Sequence, residues 1–125
     1  MERTYPKGHI TRTMALDGMI FLIGLAMLAG PFVSRTFPGS LDTTDHVALG
    51  ALIATLAIFR VAVAYGSIWI EVVLFVLGLV TFCLPRILHM QWSPHYNTGH
   101  LVGGGLIMVL SVLSAALTWP VLKQR

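Results

Sequence analysis

Charge is scarce in this chain. Of its 125 residues only 10% are Asp, Glu, Lys or Arg, against 56% apolar, too little polar surface to coat a water-soluble globule. Cysteine is scarcer still. Cys83 stands alone, which excludes an intramolecular disulfide and a Cys-x-x-Cys redox pair, and with them a thiol oxidoreductase of four-helix build. There is no Gly-x-Ser-x-Gly elbow and no acid–base pair near Ser34, Ser40 or Ser93, so the expectation is a protein that is not an enzyme. The net charge of +3 comes from a few basic residues scattered along the chain, which argues against nucleic acid as a partner.

What the chain does contain is four long apolar stretches. About 17–25 apolar residues cross the roughly 30 Å of hydrocarbon in a bilayer, and the stretches near Met14–Phe32, His46–Ala64, Ser67–Pro85 and Gly99–Trp119 are that long. The first holds Asp17 and begins too far into the chain for a signal peptide. The expected fold is all-α, with four transmembrane helices. Arg3, Lys7, Arg12, Arg60, Lys123 and Arg125 fall on one side, and Arg35 and Arg86 on the other. The positive-inside rule then predicts cytoplasmic tails at 1–13 and 120–125, and outward loops at 33–45 and 86–98, in a bacterial inner membrane.

The chain is also written twice. A shift of 54 positions lays residues 17–60 on residues 71–114. Identical pairs include Gly24/Gly78, Pro31/Pro85, Thr44/Thr98, His46/His100 and Gly50/Gly104, and Asp17 falls on Glu71. Residues 14–64 and 65–119 are therefore predicted to form two tandem helical hairpins. An even number of crossings per unit makes them parallel, related by a pseudo-two-fold along the membrane normal. Pro31 and Pro85 are expected to end the outward helices. Thr44, Asp45, Asn97 and Thr98 are expected to cap the returning ones.

The pattern Gly-Leu-x5-Pro-Phe at Gly24–Phe32, a loop, and then His46-x3-Gly50 opening the next helix resembles the SPW repeat of small bacterial membrane proteins. The resemblance covers residues 16–114. It implies two transmembrane helices per repeat, usually in tandem, and no particular activity. The Ser-Pro-Trp signature itself is degenerate, with Gly30-Pro31-Phe32 and Leu84-Pro85-Arg86 in its place.

Three groups of residues are candidates for a site. Asp17, Arg60 and Glu71 lie near the cytoplasmic helix ends, where an Arg60–Glu71 ion pair shared with Asp17 would lower the cost of intramembrane charge. A proton or ion path is disfavoured, because Ala48–Phe59 and Val72–Leu84 carry almost no polar residues. Among the outward histidines, His46 and His100 are symmetric, and they are candidate ligands of a haem or chlorophyll-type pigment. His89, His95 and Asp45 are candidate zinc or copper ligands. The alternative is that these histidines only make hydrogen bonds at the helix mouths. Gly50, Gly99, Gly103, Gly104 and Gly105 are candidate helix-packing positions, with a small-x-x-x-small spacing at Gly99 and Gly103.

The expected function is a non-catalytic accessory subunit of a larger membrane complex, of respiratory or photosynthetic type, with lipids and other transmembrane subunits as partners. The alternatives are a tetrapyrrole- or metal-binding membrane protein, and a homo-oligomer built on the glycine-rich helix face.

Overall fold

The computed structural model describes residues 7–33, 40–62, 67–87 and 94–123. They form four helices: α1 (Lys7–Val33), α2 (Ser40–Ala62), α3 (Ile68–Ile87) and α4 (Pro94–Lys123), with no strand among the described residues. Each contains a span long and apolar enough to cross a membrane: Arg12–Val33, Asp45–Ala62, Ile68–Ile87 and Thr98–Pro120. The helices outrun the apolar stretches. Half of the expected N-terminal tail is helical, and α2 and α4 open at Ser40 and Pro94. Thr44, Asp45, Asn97 and Thr98 are consequently inside helices and do not cap them. Proline at the first position of α4 loses nothing, because its missing N–H would have no helical partner there.

Pro31 and Pro85 do not terminate α1 and α3, which run on to Val33 and Ile87. A proline lacks its own donor and crowds the preceding turn, but residues after it can stay helical. Both prolines are buried, so their rings serve as packing surface.

The buried residues of α1 are Thr13, Asp17, Ile20, Gly24, Met27 and Pro31, spaced alternately by four and three. That spacing draws a single stripe along a helix. The buried residues of α3, Glu71, Leu74, Gly78, Thr81 and Pro85, are the same stripe shifted by one repeat. On α2 and α4 the correspondence continues from His46, Gly50, Ile53 and Ala57 to His100, Gly104, Ile107 and Ser111.

Helices α1 and α2 pack most closely, as do α3 and α4; α1 also meets α4, and α2 meets α3 more lightly. Shifting by one repeat maps this set of neighbours onto itself. The tight pairs are made by glycine. A Cβ on Gly50 would stand 2.5 Å from the Leu28 nitrogen and 2.6 Å from the Gly24 carbonyl oxygen. One on Gly104 would stand 2.6 Å from the Phe82 nitrogen and 2.7 Å from the Gly78 carbonyl oxygen. Leu28 and Phe82 are themselves repeat equivalents, so the same backbone-to-backbone crossing is built twice. In hydrocarbon, where no hydrophobic effect drives helices together, such close approach supplies the packing attraction.

Polarity is inverted relative to a soluble bundle. Leu22, Phe32, Ile58, Phe59, Val73, Val109 and Trp119 are exposed, while Arg60, Glu71, Asp17 and His100 are buried. Thr55, exposed on the outer surface, donates to the Ala51 carbonyl at 2.7 Å. Its hydroxyl is thus satisfied within its own helix, as lipid contact requires.

Candidate functional site

Two polar clusters occupy opposite ends of the interior. At the end where α1 begins and α4 finishes, the side chain of Arg60, with no exposed surface, reaches across the bundle. It pairs through Nη1 with Asp17 Oδ1 on α1 and through Nη2 with Glu71 Oε1 on α3. The repeat makes this convergence possible, since Asp17 and Glu71 occupy equivalent positions on equivalent helices. Its symmetry is broken at the base, because the equivalent of Arg60 is Ser114.

The fourth helix completes the cluster with hydroxyls. Thr118 Oγ1 lies 3.5 Å from Arg60 Nη2 and donates to the Ser114 carbonyl at 2.9 Å. The Ser114 hydroxyl is beside the Glu71 carboxylate. Ser111, Ser114 and Thr118 are all buried and follow one face of α4 at helical spacing. Several atoms here lack a well-directed hydrogen bond: Asp17 Oδ2, Arg60 Nε, both Glu71 carboxylate oxygens, and the hydroxyls of Ser111 and Ser114.

Sequence reasoning missed the α4 hydroxyls, because serine and threonine interrupt an apolar run without lowering its hydropathy much. Their helical spacing, Ser111–Ser114–Thr118, was the available signal. It also missed Gly24 and Gly78 as packing positions, although their identity across the repeats pointed to them.

At the other end, His46 and His100 meet with ring centroids 3.9 Å apart and planes inclined at 63°. Both are buried, and neither ring nitrogen of His100 has a hydrogen-bond partner. Two imidazoles bound to one tetrahedral metal ion, each through a bond of about 2.0 Å, keep their centroids about 5 Å apart. The observed separation leaves no room for a tetrapyrrole between the rings. His100, fully covered, offers no face to one outside the bundle.

Two members of the metal set expected from sequence lie outside the described residues. His89 lies outside them, as does the side chain of His95, and Asp45 is half-buried on α2. No three His, Cys, Asp or Glu side chains come together among the described residues to hold an ion. An imidazole with both nitrogens orphaned in an apolar interior costs stability. His100→Leu, of similar volume, is therefore expected to leave the thermal midpoint in detergent unchanged or raised. A clear fall in that midpoint would show that the ring nitrogens engage a ligand.

Between the two clusters lies a wholly apolar layer of Ile20, Ile53, Leu74 and Ile107, each with no exposed surface. Thr81, nearer the histidines, donates to its own Leu77 carbonyl at 2.7 Å. The glycines divide by role: Gly104 makes the α3 crossing, Gly103 faces Met27 and Ile23 of α1, and Gly105 meets only the ring of Phe82. Gly99 is exposed beside His46. The glycine-rich face of α4 is thus largely used within the chain, because Gly103 and Gly104 are covered by α1 and α3.

Four apolar helices with inverted polarity define a small multi-pass membrane protein. A model of the SPW repeat domain matches residues 14–114, and the chain belongs to that family. No curated protein and no solved structure matches it.

Proposed function

We propose that this protein is a non-catalytic structural subunit that docks onto a larger complex of a bacterial inner membrane, respiratory or photosynthetic in type, with both termini cytoplasmic. The observation that carries this reading is an asymmetry between the outer faces of α1 and α3. Ala15, Gly18, Leu22, Ala26 and Ala29 form an exposed stripe along α1. Their repeat equivalents on α3 are Trp69, Val72, Val76, Val80 and Cys83, of which the first four are exposed.

The α3 set is the branched and aromatic surface that suits lipid chains. Apart from Leu22 the α1 set is small enough for another helix to approach its backbone, and a Cβ on Gly18 would meet nothing within 4 Å. Interfaces between helices in membranes are enriched in just such residues. At the helix crossings inside each hairpin the repeats are alike; on these outer faces they differ, and the difference favours a helix neighbour on one side only.

Native extraction in mild detergent, followed by mass spectrometry of the co-migrating chains, tests the reading. The protein is expected to travel with larger transmembrane subunits. Gly18→Val with Ala26→Val, which gives α1 the residues of α3, is expected to release it while leaving its own thermal unfolding unchanged. Migration of the unaltered protein alone, or only with copies of itself, would sink the proposal.

A further inference from the structure

The repeat duplicates the acid and does not duplicate the base. Asp17 and Glu71 both point at Arg60, and the position that would have supplied a second arginine is Ser114. Arginine keeps its charge in any protein setting. With both acids ionised, the cluster would bear one uncompensated negative charge, wholly buried, at the edge of hydrocarbon. An unbalanced buried ion costs several kcal/mol, and an intramembrane charge finds little water to offset it.

Among the described residues no other group corrects the balance. Thr13 of α1 and Ser111, Ser114 and Thr118 of α4 are the remaining buried polar residues at this end, and all are hydroxyls. Arg12 and Lys123, the other described cations here, are exposed.

We propose that the triad binds one exchangeable proton, carried by the Glu71 carboxyl. The two acids are not equally committed to Arg60. Asp17 Oδ1 accepts a directed hydrogen bond from Nη1, whereas Glu71 Oε1 meets Nη2 as an ion pair without one. Glu71 also has a hydroxyl beside it, Ser114, which can donate to a carboxylate and can equally turn to accept from a carboxyl O–H. On binding, a hydronium ion gives its proton to a Glu71 oxygen and leaves as water. The new O–H donates to Ser114, and Arg60 and Asp17 remain a neutral pair. The serine in place of a second arginine thus has a role: it accepts from a neutral acid where an arginine would have held a carboxylate.

The exchange is one-sided. Thr13 and Thr118 carry the polar line toward the near end of the bundle. The layer of Ile20, Ile53, Leu74 and Ile107 closes the way to the histidines. The cluster therefore takes up and releases a proton without conducting it across.

Infrared spectroscopy of the full-length protein in lipid at neutral pH tests this. The carbonyl stretch of a protonated carboxyl is expected, shifting on exchange into heavy water and on 13C-labelling of glutamate. It should vanish in Glu71→Gln. It should also vanish in Asp17→Asn, where Arg60 is left to balance Glu71 alone. Absence of the band from the unaltered protein would overturn the proposal, as would its persistence in Asp17→Asn. So would a thermal midpoint that rises with sodium in a protein lacking the band, which would make the bound cation a metal ion. The glutamate label assigns the band without substitution, so the test stands even where a variant fails to fold.

Discussion

Arg60→Gln is expected to destabilise the protein by about 3–5 kcal/mol, the range for breaking a buried ion pair by removing one partner. Most of that cost comes from the carboxylate charge left uncompensated in the interior. Arg60 is the only base that reaches the cluster among the described residues, and it serves acids on two different helices. Its removal breaks the polar link from α2 to both α1 and α3.

Denaturation in mixed micelles by an anionic detergent, followed by far-ultraviolet circular dichroism, measures the loss. The decisive comparison is Asp17→Leu with Arg60→Met and Glu71→Leu. Replacing a whole buried ionic group by apolar side chains of similar volume is often neutral, or stabilising by about 1–4 kcal/mol. The triple variant is therefore expected to recover the stability that the single variant loses. If Arg60→Gln were as stable as the parent, the acids would not depend on the guanidinium for their balance.

The glycines carry the second large effect, and its sign changes along the chain. At Gly50 and Gly104 an added methyl group would strike backbone atoms at 2.5 and 2.6 Å, and backbone cannot rotate aside as a side chain can. The two helices of the hairpin must separate. Overpacking a tight interior costs about 1–3 kcal/mol, and Gly50→Ala and Gly104→Ala are expected at the upper end of that range.

Gly18→Ala and Gly105→Ala should behave oppositely. The first meets nothing, and the second only the Phe82 ring at 3.9 Å. Both gain helix propensity worth up to about 1 kcal/mol. The same denaturation series separates the two classes, and equal losses at all four positions would contradict the crossing geometry.

The repeat was legible in the sequence because it rests on residues that hydrocarbon-facing segments rarely share by chance, such as Pro31/Pro85, His46/His100 and Gly50/Gly104. The candidate site was legible only in part. Asp17, Arg60 and Glu71 stood out as charges in apolar segments, and their nearness in depth follows from the hairpin. The hydroxyls of Ser111, Ser114 and Thr118 did not stand out, because their meaning depends on which face of α4 turns inward. At the histidine end of the bundle the helix ends differ from the local signals. Proline and capping residues are local signals, and α1 and α3 extend past their prolines while α2 and α4 begin before their expected caps.

From its composition and its internal echo, the sequence by itself determined a four-helix membrane protein of two related halves. Segment length and apolarity suffice for that, because a bilayer admits few backbone arrangements. The sequence already pointed to one arginine for both acids; only the tertiary structure decided that two equivalent histidines touch and that the shared glycines are where helix backbones cross. These facts depend on the rotation of each helix about its own axis. In a segment apolar on nearly every side, the sequence pattern scarcely specifies that rotation, and packing against the neighbouring helices sets it.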